Sequence, residues 1–243
     1  MIKSILFIIF FSFILPESKS IENYIITKTN EKFNSIEDYQ VDMTIRVKIP
    51  AFRMPKKRYK VYYKNPNKVK VRAKGFGILP KTGLFTSPND NFDNLTNIKI
   101  TDYKDKNNVN DVIIAGDLIV DSLKVDMPNE YTRLTFDPIV EVKIDTLNWV
   151  IKNVTTKLDT LKMFQIDNYY KKFDKYYMPE KSIVKYFVKD KKLFNWINKD
   201  AGSIIGNAEA AMMNKNNSIV EGTITVEYKK YKINKGLEDK IFD

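Results

Sequence analysis

Cysteine and histidine are both absent from the chain. Without cysteine there is no disulfide, no thiolate nucleophile, no thiolate-bound metal and no lipid attached to a cysteine. Without histidine there is no Ser-His-Asp machinery and no imidazole that titrates near neutral pH. Carboxylate, Lys, Tyr and Ser or Thr chemistry remains. The composition is also compatible with no chemistry at all, and we expect a protein that is not an enzyme and that needs no metal or cofactor.

Acidic residues are in the minority, since 41 Lys and Arg against 30 Asp and Glu give a formal net charge of +11. A basic chain generally suggests nucleic acid as a partner, but no binding motif for it occurs here, and we expect none to bind. The basic clusters are interpreted as a solvated face, or as a surface for anionic headgroups or an acidic protein. Hydrophobic residues make up 43% of the chain, which is enough for a substantial core.

The first 20 residues are typical of a secretory signal peptide. Lys3 supplies the positive charge, and residues 5–15 form an apolar run interrupted only by Ser12. Small residues then occupy Ser18 and Ser20, where a signal peptidase would cleave. The run is shorter than the roughly 20 residues of a spanning helix, so an uncleaved anchor is the alternative. We expect cleavage near Ser20, export from the cytoplasm, and a soluble monomer comprising residues 21–243 as one domain.

The mature chain alternates apolar and polar residues in segment after segment. The pattern predicts a helix over residues 21–36, followed by long strands with short turns. The predicted strands are residues 39–49, 59–64, 68–74, 98–100, 111–119, 131–136, 139–144, 149–158, 163–170, 182–188 and 219–233. Strands joined at short intervals with few helices between them favour an antiparallel sheet.

Two segments interrupt this rhythm. Residues 76–92 are rich in Gly and Pro and predict a loop or short helix, and residues 193–217 predict a helix or flap. Because two or three short helices cannot cover the apolar face of a flat sheet, we expect a strongly curved sheet with its apolar face inside. Such a sheet can enclose an apolar cavity for a hydrophobic ligand, or it can be an ordinary packed core. The alternation alone does not decide between the two.

Several short motifs resemble those of the outer-membrane lipoprotein carrier (LolA/LolB-like) superfamily. The strand at residues 38–45 follows an N-terminal helix, and the strand-turn-strand of residues 60–71 contains the turn Lys64-Asn65-Pro66-Asn67-Lys68. That turn is similar to the family's Lys-x-Pro-x-Lys hairpin. Residues 74–80 and the tail at residues 226–242 also resemble lipoprotein-sorting proteins.

The resemblance implies a mainly β fold, a half-open antiparallel β-barrel closed by a few α-helices, with an apolar concave face that accepts acyl chains. It implies a carrier of lipid or acylated lipoprotein across the periplasm, with envelope membrane proteins as donor or acceptor. The family's carriers hold their lid helices through an arginine on the sheet. Candidates here are Arg46, Arg58, Arg72 and Arg133.

Two groups of candidate site residues follow. The cavity lining is predicted to comprise Val41, Met43, Ile45, Val47, Tyr59, Val61, Tyr63, Val69, Val71 and Trp149. For Trp149, as for the pairs Tyr169-Tyr170 and Tyr176-Tyr177, packing in the core is the favoured interpretation. Transient contact with a membrane or partner is predicted for Leu84, Phe85, Lys56, Lys57 and Arg58.

Two other functions stay open. Relatives of this fold sense envelope stress, so the chain could be a signalling regulator that binds a membrane protein. An enzyme acting through paired carboxylates is the third hypothesis, and no particular pair of acidic residues supports it. Residues 102–111 superficially resemble a calcium loop, but they lack its central Gly and distal Glu, and we expect no metal site there.

Overall fold

The computed structural model describes residues 20–49, 52–53, 55–73, 87–102, 110–119, 138–158, 160–188 and 220–243. Several predictions fall outside these residues. They are the leader, the strand at residues 131–136, the segment at residues 193–217, Arg133 and the pair Leu84-Phe85.

One α-helix, α1, spans Ile21–Asn34, which confirms the predicted N-terminal helix with an end two residues earlier. The Ser20 side chain caps its N-terminus by accepting from the Asn23 N–H, a cap that satisfies one of the free donors of the first turn. Lys32 lies in the last turn, where a positive charge complements the helix dipole. None of the helices in the described part of the chain is long and apolar enough to cross a membrane.

Within the described residues eleven strands follow the helix, and they confirm the predicted strands that lie in this part of the chain. They are β1 (Asp38–Ile49), β2 (Phe52–Arg53), β3 (Lys57–Lys64), β4 (Lys68–Ala73), β5 (Leu95–Asp102), β6 (Asp111–Leu118), β7 (Pro138–Asp145), β8 (Val150–Leu158), β9 (Leu161–Phe173), β10 (Tyr176–Val188) and β11 (Val220–Ile233). A short 3₁₀ helix at Pro88–Asn91 lies in the segment predicted to be a loop or short helix, and another spans Asp239–Ile241.

The strands form a single antiparallel sheet in the order β4-β3-β1-β11-β10-β9-β8-β7-β6-β5, with β2 paired to β1. Most neighbours are consecutive in the chain. The exception is β1, which pairs with β11 near the other end of the sequence, with Tyr39 opposite Ile233. Within the described residues β4 and β5 are edge strands that do not pair with each other, so the sheet is open. The expected mainly β, open antiparallel fold is confirmed.

A continuous apolar row crosses the inner face of the sheet. Each side chain lies opposite the next on the neighbouring strand, in the order Val47, Ile224, Val184, Ile166, Val154, Val142, Ile114 and Ile100. All but Ile100 are buried. Because side chains alternate between the two faces of a strand, this row fixes which residues face inward on eight strands and places the hydrophobic core on one side.

Helix α1 shows that the sheet is strongly curved. It contacts β8 and β5, and its Phe33 ring packs edge-on against Tyr63 of β3 with centroids 5.6 Å apart. In a flat sheet β3 and β5 would be about 38 Å apart, eight spacings of about 4.8 Å. A helix of 14 residues is only about 21 Å long. Strands at both ends of the order therefore wrap around the same helix.

The C-terminal segment, residues 234–243, is held to the start of β1 by hydrogen bonds. The buried Asp38 carboxylate accepts hydrogen bonds from the backbone N–H groups of Lys235, Gly236 and Leu237 at 3.0, 2.9 and 3.1 Å. Gly236 has a φ of 73°, a left-handed conformation that favours glycine. Farther along, the exposed Asp239 pairs with Lys64 of the β3–β4 hairpin at 2.9 Å.

Candidate functional site

A cleft lies between the C-terminal half of α1 and the inner face of β8–β11. Its volume is about 140 Å³, and it is partly open to solvent. The helix contributes Thr29, Lys32 and Phe33, and the sheet contributes the aliphatic side chains of Val150, Ile151, Val154, Ile166 and Met178. Engineered apolar cavities of about 150 Å³ bind a benzene ring. The cleft is therefore large enough for a ring or for a segment of one acyl chain.

Aromatic side chains dominate the walls of the cleft. The lining includes Phe33, Tyr39, Trp149, Tyr170, Tyr176, Tyr177, Tyr228 and Tyr231. Their rings support one another: Tyr231 packs against Phe173 at 4.8 Å between centroids, and Tyr170 stacks on Tyr177 at 6.2 Å. Such rings combine a large apolar surface with a polar edge. The walls suit an amphipathic or hydrophobic ligand.

Trp149 reaches the cleft from the β7–β8 turn. Asp145 Oδ1 accepts from the Leu147 N–H at 2.9 Å and from the Asn148 N–H at 3.2 Å, which closes the turn. Trp149 follows with a φ of 56°, a conformation that bulky residues rarely adopt. Its indole packs edge-on against Tyr24 of α1 with centroids 6.1 Å apart. The turn thus holds an aromatic side chain at the cleft rim.

Polar groups interrupt the apolar floor of the cleft at one place. Ser182 of β10, only 2% exposed, donates to Asn168 Oδ1 at 2.7 Å, and Asn168 donates to the Ile151 carbonyl at 3.1 Å. The Tyr170 hydroxyl also donates to this carbonyl, at 3.0 Å. The Tyr231 hydroxyl donates to the Pro179 carbonyl at 2.8 Å. These hydroxyl and amide groups are satisfied within the protein.

Burial raises the pKa of tyrosine hydroxyls of the cleft. It raises the pKa of Tyr39 and Tyr170 well above the ordinary value. It raises the pKa of Tyr228 to about 12, although a hydrogen bond with Ser182 acts in the opposite direction. Removing a phenolate from water is unfavourable, which is why the neutral form is preferred. At neutral pH these groups act as hydrogen-bond donors and acceptors.

The cleft has little charge. Lys32 is the one charged residue among its described lining residues, and no carboxylate lines it. Among the described residues there is also no group of three or more acidic side chains that could hold a metal ion. The arrangement can bind a ligand through apolar contact and hydrogen bonds. Its described lining residues offer no pair of carboxylates for acid–base catalysis.

Most of the predicted lining residues lie in the sheet core rather than around this cleft. Val41, Met43, Ile45, Val47, Tyr59, Val61 and Tyr63 are buried on the inner face of β1 and β3. On the edge strand β4, Val71 is half-buried and Val69 is 40% exposed. Trp149 is the predicted lining residue that does line the cleft. Whether the others contact a ligand stays a prediction.

The predicted contact residues are placed only in part. Lys56 and Arg58 are exposed at the start of β3, with the half-buried Lys57 between them, and their contact with a membrane or partner stays a prediction. Arg46 pairs with Glu227 at 3.1 Å, and Arg72 lies over the Tyr62 ring at 5.2 Å. None of the three described candidate arginines lines the cleft.

Sequence reasoning missed most of the cleft. Packing in the core is the favoured expectation for Tyr170, Tyr176 and Tyr177; all three line the cleft, and Tyr176 also packs against the hydrophobic core. Tyr39 and Tyr228 were not singled out. One signal was present: Ile166, Asn168 and Tyr170 alternate along β9, which puts a polar residue and a tyrosine on the same inward face as the core.

No protein-family model and no curated protein sequence matches the chain. Solved structures are similar to it, among them the following three. A LolA superfamily protein from Nitrosomonas europaea is 11% identical, with 91% of this chain and 97% of that one covered and a TM-score of 0.47. A protein domain from Vibrio parahaemolyticus assigned to outer membrane lipoprotein sorting is 10% identical, with 91% and 97% covered and a TM-score of 0.49.

The third structure is a DUF1329 family protein from Desulfovibrio piger. It is 9% identical, with 91% of this chain and 95% of that one covered and a TM-score of 0.50. This likeness shows a shared fold, a mainly β open antiparallel sheet with a helix against it. Solved proteins of the superfamily that the sequence motifs resemble are thus among the structural neighbours of this chain.

Proposed function

We propose that the protein is a soluble, exported carrier that binds the acyl chains of a lipid or lipoprotein and moves them across the periplasm towards the outer membrane. The observation that carries the proposal is the partly open cleft between α1 and the inner face of the sheet, with aromatic and aliphatic walls. The signal-peptide pattern and the motif resemblance support the same function.

Carrying an acyl chain through water requires an apolar site of this kind. Burying one CH₂ group is favourable by about 0.8 kcal/mol, so a long acyl chain carries on the order of 10 kcal/mol of transfer free energy. A lipid crosses an aqueous compartment only if that apolar surface is covered. An apolar cleft with an opening is sufficient, and no catalytic group is needed.

Bound lipid is the direct test. Organic extraction of the purified mature protein, followed by mass spectrometry, is expected to yield lipid. A fluorescent fatty acid is expected to bind the extracted protein. If neither result is obtained, the carrier function is contradicted.

A matched pair of variants tests whether the cleft is the site. Ser35 lines the cleft at the end of α1, whereas its exposed neighbour Asn34 is not among the lining residues. Ser35→Trp should fill the cleft and weaken fatty-acid binding at least tenfold. Asn34→Trp adds the same side chain outside the cleft and should leave binding unchanged. Equal binding by both variants would place the ligand elsewhere.

An exposed apolar patch beside the cleft supports transient membrane contact during handover. Leu147 in the β7–β8 turn is 69% exposed, and Ile21 and Tyr24 at the start of α1 are about half exposed. Trp149, in contact with Tyr24, belongs to both the patch and the cleft. Trp and Tyr favour the membrane–water interface. Leu147→Glu should reduce sedimentation with vesicles, whereas Thr160→Glu in the β8–β9 turn should not.

The periplasmic location rests on the predicted leader. If residues 1–20 are removed during export, N-terminal sequencing of the exported protein will begin at Ile21. A membrane-bound product that retains the leader would support the anchored alternative.

A further inference from the structure

The rim of the cleft carries a positive charge without a counter-charge. Lys32 lines the cleft, and within the described residues no carboxylate pairs with its ammonium group. By contrast, Lys28, one turn earlier on α1, is engaged by Glu31 at 2.7 Å. Lys32 complements the dipole at the helix C-terminus. That role does not account for the absence of acidic side chains from the whole described lining.

A second unmatched donor lies inside the same cleft. Tyr39 is only 8% exposed, and its ring is stacked on Tyr63 with centroids 5.0 Å apart. No described residue hydrogen-bonds its hydroxyl, whereas the hydroxyls of Tyr170, Tyr176 and Tyr231 all have partners. Although the ring is buried, the hydroxyl oxygen is not among the buried side-chain atoms that lack a partner, so it reaches open space. The Tyr39 hydroxyl is therefore available to an acceptor that enters the cleft.

The volume of the cleft limits the size of the ligand that could carry such an acceptor group. A space of about 140 Å³ holds a segment of one chain rather than several chains side by side. A ligand with a cationic head would meet Lys32 with no carboxylate among the described lining residues to compensate. A neutral head would leave the ammonium group unused.

We propose that the cleft binds a single-chain amphiphile with an anionic oxygen head group, held by the Lys32 ammonium group and by a hydrogen bond from the Tyr39 hydroxyl. This inference rests on the proposed carrier function and narrows its ligand class. The head group is a carboxylate, as in a free fatty acid, or a phosphate, as in a lysophospholipid. Both present the oxygen acceptors that ammonium and hydroxyl donors bind.

Calorimetric titration with four twelve-carbon amphiphiles below their micelle concentrations tests the proposal. They are dodecanoate, dodecyl phosphate, dodecanol and dodecyltrimethylammonium, which share a chain and differ in the head. At least one anionic compound should bind about tenfold more tightly than dodecanol, as charge-assisted hydrogen bonds imply, and the cation should bind most weakly. The tighter of the two anions identifies the head group as carboxylate or phosphate.

Three variants assign the effect to residues. Lys32→Met should abolish the preference for the anion and leave dodecanol binding unchanged. Tyr39→Phe keeps the stacked ring and should weaken anion binding several-fold. Lys28→Met is the matched control on the same helix and should change nothing.

Different results would contradict the anionic head group and the carrier function. If dodecanol and both anions bind equally to the wild-type protein, or if Lys32→Met retains the preference, the anionic head group is ruled out while the carrier function stands. If none of the four compounds binds, the carrier function itself is contradicted.

Discussion

Ser182 and Asn168 lie directly opposite each other on β10 and β9, and the Ser182 hydroxyl donates to Asn168 Oδ1 at 2.7 Å. The Asn168 side-chain amide in turn donates to the Ile151 carbonyl of β8 at 3.1 Å. This chain of hydrogen bonds crosses three strands at the floor of the cleft, on a face that is otherwise largely apolar. Asn168 links the other two groups, because its side chain accepts from Ser182 and donates to the Ile151 carbonyl.

A double-mutant cycle is expected to show this coupling. Asn168→Leu should lower the free energy of unfolding by about 2 kcal/mol, because Ser182 and the Ile151 carbonyl both lose a partner. Ser182→Val should cost about 1 kcal/mol. The double variant should lose about 1 kcal/mol less than the two effects combined, since neither Ser182 nor Asn168 is then left without the other. Urea denaturation measures all four proteins, and strictly additive losses would show that the pair is uncoupled.

Removal of the Asp38 side chain should release the C-terminal segment. Asp38→Ala removes a buried carboxylate and leaves the N–H groups of Lys235, Gly236 and Leu237 without their acceptor. We expect the free energy of unfolding to fall by about 3 kcal/mol, with faster hydrogen exchange at these amides.

Asp239→Ala provides the control in the same segment. It removes exposed ion pairs with Lys64 and Lys68, and exposed pairs contribute little because water and salt screen them. A similar loss of stability in both variants would mean that the Asp38 hydrogen bonds are not what holds the segment.

The strands and the inward-facing residues could be predicted because both follow from a local period of two. The buried Val41, Met43 and Ile45 of β1 are an example. The pairing of Tyr39 with Ile233 could not be predicted in this way. It joins residues far apart in the chain, and its register depends on a bulge in β11, between Lys229 and Lys232, and on the whole sheet.

The cleft depends on a relationship that no local pattern contains. Whether an inward residue is packed or lines an open space is decided by where α1 crosses the sheet. Met43 of β1 is packed in the core, whereas Tyr176 of β10 lines the cleft. Their sequence patterns give no reason to separate them. The alternation therefore predicts a set of candidates, and the position of the helix selects among them.

Asp167 on the outer face should make stability depend on pH. Burial alone would raise its pKa, but hydrogen bonds from Gln165, Lys185 and Asn153 outweigh burial and hold the pKa below the ordinary carboxyl value. A lowered folded-state pKa stabilises the protein above the unfolded pKa of about 3.9, and this stabilisation is lost as pH falls through the folded pKa.

Asp167→Asn should therefore be less stable than the wild type near neutral pH, and the difference should shrink as the solution is acidified below about pH 4. Urea denaturation at a series of pH values measures this difference. A gap that stays constant down to pH 2 would show that the lost ion pair with Lys185 is not its source.

Trp149 should report occupancy of the cleft. The chain contains two tryptophans, Trp149 and Trp196, so Trp196→Phe isolates emission from the residue at the rim. An acyl chain bound in the cleft replaces water around the half-buried indole, and we expect the emission to shift to shorter wavelength as dodecanoate is added. The concentration dependence should match the calorimetric affinity, and Trp149→Phe should remove the shift while leaving a measurable heat of binding. Calorimetric binding without any change in Trp149 emission would place the ligand away from α1 and β8, and the cleft would no longer be the binding site.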